Sequence, residues 1–231
     1  MSAPSPRGKS LAAGWCWNPL PADDFAGGVA GGTLAAVLEQ AKALGLLGPG
    51  EVSGHLAHAA GFAAAVESVP SRIVDLGSGA GVPGLVLART WPSTTVVLVD
   101  SSARRAAFLR EAVADLDLAH VDVVEERAER LGRVPRWRGW AEVVVARSFG
   151  SPGVTAECAA PLVAVGGLIL VSEPPVPDIT RWPTAGLATL GLCWIRQVEC
   201  GDSHVAVLRQ VGLCPDRFPR RVGIPTKRPI F

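Results

Sequence analysis

Five short apolar runs mark the middle of the chain, and segments with helical spacing lie between them. Continuous runs of Val, Ile and Leu of this length are typical of strands buried on both faces of a parallel sheet. Their alternation with helices predicts right-handed βαβ units and a doubly wound sheet. The predicted strands are residues 72–76, 95–100, 121–124, 142–146 and 167–172.

Helical spacing also precedes the first strand, where two segments alternate apolar and polar residues with a helical period. Capping residues and prolines mark where the helices should begin. The predicted helices are 33–48 with Thr33 as its cap, 52–68 with Ser53 as its cap, one from Pro83, one after Ser102, and one from Pro152 behind Ser151.

The chain ends in a different pattern, because residues 192–200 and 205–211 are apolar runs joined across a Gly-Asp turn. This predicts an antiparallel hairpin. Five parallel strands closed by a hairpin are typical of class I methyltransferases, not of dehydrogenases. The predicted fold is therefore an α/β, Rossmann-like, doubly wound sheet, mostly parallel, with an antiparallel C-terminal hairpin and N-terminal helices. The predicted parts are a flexible lead-in (1–30), a helical segment (31–70), a core (71–213) and a basic tail (214–231).

Composition narrows the class of protein. The 231 residues are 48% hydrophobic and 19% charged, which indicates a globular protein. The net charge of +1 neither indicates nor excludes binding to nucleic acid. Five cysteines without a CxxC pair argue against a disulfide framework or a bound metal. The most apolar stretch is short and broken by Pro161, and no signal peptide is evident, so we expect a cytoplasmic monomer with no membrane contact.

The stretch "DLGSGAGVPG" directly follows the first predicted strand. Ligands of parallel sheets bind beyond the carboxyl ends of the strands, and the first βα turn must be slim to admit them. Gly77, Gly79 and Gly81 allow that approach, and a helix starting near Pro83 offers free N–H groups. The stretch fits both the GxGxxG dinucleotide pattern and the acidic-x-Gly-x-Gly-x-Gly pattern of methyltransferases.

Two acidic residues help to choose between these patterns. The Asp75 carboxylate, ahead of the glycines, can accept hydrogen bonds from the amino group of S-adenosylmethionine, directly or through water. Asp100 ends the next strand, where a carboxylate can hold the ribose hydroxyls of either cofactor. Together with the terminal hairpin, Asp75 favours S-adenosyl-L-methionine over NAD. A glycine turn that binds no ligand is the third alternative.

A longer stretch, "IVDLGSGAGVPGLVLA", resembles the cofactor motif of the RsmG (GidB) family. The likeness continues through "LVDSSARRAAFLREAVADLDL", "EERAERL", "ARSFGSPGVTAECAAPLV" and "FPRRVGIPTKRPIF", and spans about residues 53–231. Members of that family methylate N7 of a guanine in 16S ribosomal RNA, so the resemblance implies this activity, with the small ribosomal subunit as partner. The loop and the resemblance together predict these cofactor-binding residues: Asp75, Gly77, Ser78, Gly79, Gly81, Val82, Pro83, Asp100, Ser101, Arg127, Ala128 and Glu129.

Methylation of guanine N7 needs no general base, because N7 carries an exposed lone pair. Catalysis then rests on aligning nucleophile, methyl group and sulfur. Arginine commonly contacts guanine at O6 and N7, and since N7 must stay free, an arginine is expected at O6 or at the phosphates. Arg147, at the end of the fourth strand, is the predicted catalytic residue and an RNA contact, with a structural ion pair as the alternative. The other predicted RNA contacts are Arg220, Arg221, Lys227 and Arg228.

Three departures from the family pattern keep other functions open. The family segment W-N-x-x-x-N-L-T has no counterpart, and the only asparagine is Asn18. Where the family has R-H-x-x-D-S, this chain reads "GHLAHA", which keeps His55 but places His58 and Ala59 at the Asp and Ser positions. Glu173 stands where a lysine is expected after the fifth strand. A diverged paralogue with another substrate or no activity is therefore one alternative, and an NAD-dependent oxidoreductase is another.

Overall fold

The computed structural model describes residues 32–176 and 178–231; the predicted lead-in and Asn18 lie outside these ranges. A single seven-stranded sheet forms the centre. Its strands are β1 (Arg72–Leu76), β2 (Thr95–Asp100), β3 (Val121–Glu125), β4 (Ala141–Ala146), β5 (Val163–Ser172), β6 (Leu192–Cys200) and β7 (Ser203–Gln210). Their order is β3-β2-β1-β4-β5-β7-β6. β1 to β5 are parallel, and β7 runs antiparallel to both β5 and β6, which confirms the predicted topology.

Helices cover both faces of the sheet. They are α1 (Leu34–Ala43), α2 (Val52–Ala64), α3 (Gly84–Thr90), α4 (Ala103–Asp115), α5 (Ala128–Leu131), α6 (Pro152–Ala159), α7 (Thr184–Ala188) and α8 (Ile224–Lys227). The apolar side chains of α1 to α4 form one buried layer, and those of α5 to α7 form the other. Successive residues of β1 alternate between the layers, with Ile73 in the first and Val74 in the second. The strands are apolar on both faces for this reason.

The helix starts follow the predicted caps in part. The Thr33 hydroxyl accepts a hydrogen bond from the backbone of Ala36 at 3.1 Å, and the Ser102 hydroxyl caps α4. The prediction for Ser53 is wrong, because the cap of α2 is Glu51, two residues earlier, and the Glu51 side chain makes no capping bond. Pro83 precedes α3 as its cap instead of forming its first turn.

The predicted basic tail, residues 214–231, packs against the core; we call it the strap. The guanidinium of Arg138 donates hydrogen bonds to the carbonyls of Cys214 and Phe218 at 2.8 and 2.9 Å. At its end, the ring of Phe231 lies where a Cβ on Gly186 would be, and it forms an edge contact with Trp182. The strap is therefore held at both ends.

None of the helices within residues 32–176 and 178–231 has the length and apolar character needed to cross a bilayer. In the same ranges, no three His, Cys, Asp or Glu side chains come together as a metal site.

Candidate functional site

Three adjoining cavities open beyond the carboxyl ends of the parallel strands, where the strand order reverses between β1 and β4. This is where open α/β sheets bind ligands. The first and second cavities, of about 210 and 320 Å³, share Gly77, Arg105 and Ser148. The third, of about 440 Å³, shares Arg147 with the second. The three cavities are therefore adjacent, and Arg147 lies between the second and the third.

The glycine loop after β1 forms the wall between the first two cavities. Gly77, Gly79 and Gly81 have φ values of +74°, +58° and +89°, a region that side chains other than glycine rarely adopt. A Cβ on Gly77 would lie 2.6 Å from the ring of Phe149. Gly81 instead faces inward against Leu85 and lines neither cavity. Its glycine is therefore needed for packing and backbone conformation.

The carboxylate of Asp100 lies at the end of β2, in the wall of the first cavity. Its Oδ2 accepts the N–H of Gly79 at 3.0 Å, and its Oδ1 accepts the N–H of Ser102 at 2.9 Å. The guanidinium of Arg105 lies 3.7 Å from Oδ2. A carboxylate has about four lone-pair positions, so these contacts leave acceptor capacity towards the cavity. Asp100 therefore lies in a cavity wall with a free acceptor position, and its contact with a ribose stays a prediction.

The carboxylate of Asp75 is buried and lies in none of the three cavity walls. Its Oδ2 accepts the N–H of Gly84 at 3.0 Å, which draws the carboxylate under the loop and out of all three cavities. The predicted direct contact with the cofactor is therefore corrected: a contact through water remains available. Burial raises the pKa of Asp75 to about 7. Its Oδ1 is buried and has no hydrogen-bond partner among the described residues. Pro83 likewise lines none of the cavities.

Other predicted cofactor residues do line the cavities. Ser78, Gly79 and Val82 lie in the second cavity, and Ser101, Arg127, Ala128 and Glu129 lie in the first. Sequence reasoning missed Arg105, Ser148, Phe149 and Thr226, which lie in the same walls.

Thr226 reaches the first cavity because the strap is fastened to it. The Oε1 of Glu129 accepts the N–H of Gly223 at 2.9 Å, and its Oε2 lies 3.7 Å from Nε of Arg127. Thr226 follows three residues later and closes part of the cavity wall. Glu129 therefore acts as an anchor for the strap as well as a lining residue.

Arg147 is held between the second and third cavities by a histidine. Its Nη2 donates to Nδ1 of His55, while Nε2–H of His55 donates to the carbonyl of Gly48 at 3.2 Å. Burial lowers the pKa of His55 and the charge of Arg147 lowers it further, so the ring is held neutral as an acceptor. The Nη1 of Arg147 is buried without a hydrogen-bond partner within the described ranges. Among those residues Arg147 makes no ion pair, so the structural alternative is not supported.

The third cavity draws its polar groups from three distant segments. His58 on α2 shares a hydrogen bond of 2.9 Å with Oγ of Ser172, at the end of β5. Ser203, which follows the β6–β7 turn, donates its hydroxyl to the carbonyl of His58 at 2.8 Å. Burial and, next, the charge of Arg147 lower the pKa of His58 to about 4. The side chain at the family's Asp position is therefore neutral near pH 7.

The structure corrects one predicted RNA contact. The guanidinium of Arg220 forms a two-pronged ion pair with Glu157, with Nε–Oε1 and Nη2–Oε2 distances of 2.9 and 2.6 Å. Glu157 has no exposed surface, so its charge requires this partner. Arg221, Lys227 and Arg228 have exposed side chains.

The Glu173 carboxylate, at the position of the expected lysine, is buried and turns away from the cavities. It accepts a hydrogen bond from Nε of Arg181 at 2.7 Å. Its negative charge is therefore neutralised inside the fold and does not face the site.

Comparison with known proteins places this site in a family. The family model described as "GidB: rRNA small subunit methyltransferase G" matches residues 34–173. A relative named "Ribosomal RNA small subunit methyltransferase G" from Roseiflexus castenholzii is 39% identical over 168 residues, which cover 70% of this chain and 72% of that protein. The protein of the same name from Pelotomaculum thermopropionicum is 33% identical over 207 residues, covering 84% and 86%.

Solved structures agree on the fold. Mitomycin 7-O-methyltransferase MmcR aligns with a TM-score of 0.56 and 18% identity, covering 68% of this chain and 54% of that one. The Methanococcus jannaschii fibrillarin pre-rRNA processing protein aligns with a TM-score of 0.51 and 16% identity, covering 64% and 70%. The class I methyltransferase fold is confirmed, and the chain belongs to the GidB family, the rRNA small subunit methyltransferase G proteins.

Proposed function

We propose that the protein transfers the methyl group of S-adenosylmethionine to N7 of a guanine in 16S ribosomal RNA of the small ribosomal subunit. Family membership supports the reaction and its RNA substrate. The observation that carries the proposal is the series of cavities that meets at Arg147, because methyl transfer needs donor and acceptor sites that join at one point.

The donor cavities fit S-adenosylmethionine. The first cavity presents Asp100 for a ribose. Beside the second, Oδ1 of Asp75 and Nη1 of Arg147 are buried polar atoms without partners in the described ranges. These two unpartnered atoms, one on a carboxyl group and one on a guanidinium, complement the amino-acid end of this cofactor, with its carboxylate at Arg147 and its ammonium near Asp75. The oxidoreductase alternative is disfavoured because the matching family model and the relatives are rRNA small subunit methyltransferases.

Arg147 is suited to serve both partners. Its Nη1 carries two hydrogens, one for the cofactor carboxylate and one for O6 of a guanine in the third cavity. A hydrogen bond to O6 leaves N7 free and turned towards the donor. The bound cofactor supplies an activated methyl group on its sulfonium, and the chain's own task is to align the base with it.

We further propose that the exposed cations of the strap, Arg221, Lys227 and Arg228, contact RNA phosphates near the donor cavity. The placement of Thr226 in the cavity wall supports this location. The proposed functional unit is a monomer. The cytoplasm is the proposed place of action, because ribosomal subunits are found there.

The test is methylation of small subunits from a strain that lacks the family's enzyme. Purified protein and S-adenosylmethionine should generate N7-methylguanosine, measured by mass spectrometry of nucleosides, and calorimetry should show binding of S-adenosylmethionine but not of NAD. Tight S-adenosylmethionine binding without N7-methylguanosine would instead support the diverged paralogue, which the neutral His58 at the family's Asp position favours.

A further inference from the structure

The third cavity contains two carboxylates, and only one of them is already engaged. Glu51 lies 3.4 Å from the ammonium of Lys42. Asp202 also lines the cavity, and within residues 32–176 and 178–231 its carboxylate has no ion-pair or hydrogen-bond partner. Asp202 is therefore an available anion in a cavity whose other ionisable side chains include the engaged Glu51, two histidines and Arg147.

The backbone of Asp202 is fixed in place. It occupies a two-residue turn, with Gly201 at φ +56°, between Cys200 and Ser203, which are paired across β6 and β7. Ser203 fastens this turn to α2 through its hydrogen bond to the carbonyl of His58. Gly61 lets the helix approach, since a Cβ there would overlap the side chain of Ser203. The turn thus holds Asp202 beside the same cavity as His58.

This inference rests on the proposed reaction. In that reaction, an anion at the position of Asp202 would be favourable. A guanine with N7 towards the donor and O6 at Arg147 points N1–H and its 2-amino group away from the donor. These are two hydrogen-bond donors, which a carboxylate accepts together. In the reaction, the N7 lone pair forms the N–CH₃ bond while the S–CH₃ bond pair stays on sulfur. No proton moves, the sulfur becomes neutral, and the base becomes a cation.

We infer that Asp202 binds the N1–H and 2-amino groups of the target guanine and stabilises the cation formed on it. It thereby supplies the carboxylate that His58 removes from the family pattern. A preorganised charge aimed at developing charge of opposite sign is a strong contribution to catalysis. Asp202 is accordingly a catalytic residue in this account, and its position in the hairpin turn sets the specificity for guanine.

The test compares Asp202→Asn with Glu199→Gln in single-turnover methylation of small subunits at saturating S-adenosylmethionine. Glu199 is on the same hairpin, 60% exposed, and lines none of the three cavities, so its variant removes the same charge from the same element. Asp202→Asn should slow N7-methylguanosine formation by about tenfold or more. Its affinity for S-adenosylmethionine should stay within about twofold of wild type, and Glu199→Gln should keep the wild-type rate.

A second variant tests the replacement itself. In Asp202→Asn, the additional change His58→Asp returns a carboxylate to the family position and should recover part of the lost rate. An active wild type with an equally active Asp202→Asn overturns the inference alone, as does an equal loss in Glu199→Gln. If His58→Asp recovers none of the lost rate, the claim that Asp202 replaces the family's carboxylate is overturned. A wild type that forms no N7-methylguanosine overturns the proposed function, and with it this inference.

Discussion

The donor side and the acceptor side of the site are built in different ways. The donor side comprises residues 75–84 and the ends of β2 and β3, and it uses left-handed glycines and main-chain N–H groups. The acceptor side comprises α2, the end of β5 and the β6–β7 turn, and it uses side chains. A site built from main-chain geometry tolerates few substitutions. In a site built from side chains, a charge lost from one element can be replaced by a charged residue on another element. The departures His58 and Glu173 both fall outside the donor side.

The largest expected effect concerns the strap that closes the donor side. Arg220→Ala leaves the fully buried carboxylate of Glu157 without a cation, and we expect it to lower the free energy of unfolding by about 3–5 kcal/mol. Urea unfolding followed by fluorescence measures this. Arg221→Ala, at the exposed neighbour, should change the free energy by less than about 0.5 kcal/mol. Equal stabilities for the two variants would show that the strap is not anchored by this pair.

A second substitution asks whether the acceptor side still needs the family's lysine. Glu173→Lys breaks the ion pair with Arg181 and places a second cation beside it, at a cost of about 1.5–3 kcal/mol in unfolding free energy. Because Glu173 lines none of the cavities, we expect no gain in methylation rate. Thermal unfolding and single-turnover rates measure the two effects. A faster variant would contradict the conclusion that residue 173 faces away from the cavities.

Gly77→Ala tests the main-chain character of the donor side. Its positive φ should cost about 1–2 kcal/mol in stability, and the new Cβ should push Phe149 into the first cavity and weaken S-adenosylmethionine binding. Gly166→Ala is the matched control, because Gly166 also has a positive φ but open space around it. Both variants should lose stability, and only Gly77→Ala should lose affinity in calorimetry.

The smallest expected effect is a pH dependence of donor binding. In the free protein the pKa of Asp75 is raised to about 7, so the carboxyl must lose a proton before it can attract the cofactor's ammonium. Affinity for S-adenosylmethionine should therefore rise with pH up to about 7, by at most about tenfold per pH unit. Calorimetry between about pH 5.5 and 7 measures this slope. Asp75→Asn should flatten it, and an unchanged slope in that variant would assign the proton to another group.

Much of the donor side could be predicted from the sequence, because it is built mainly from short local motifs. The bounds of β1, β2 and β6 match the predicted segments, and Asp100, Gly77 and Gly79 lie in the cavity walls. The burial of Asp75 could not be predicted from the local pattern, because the hydrogen bond from Gly84 depends on how α3 packs beneath the loop. Thr226 was missed because it reaches the cavity from the end of the chain.

The acceptor side could not be predicted from local patterns. His58, Ser172 and Asp202 are far apart in sequence, and only the sheet order brings α2, β5 and the hairpin to one cavity. Arg220 shows the same limit: a cluster of cations suggested RNA contact, while its buried partner Glu157 lies on a distant helix. Side-chain pairing across elements is a tertiary property.

The most direct test follows the methyl group across Arg147. With saturating labelled S-adenosylmethionine and small subunits, wild-type protein should form N7-methylguanosine in a single turnover, and Arg147→Ala should slow this by about 100-fold or more. Arg110→Ala, an exposed arginine paired with Glu125 outside the cavities, should keep the wild-type rate. Label at another atom, or an Arg147→Ala variant as fast as wild type, would contradict the account.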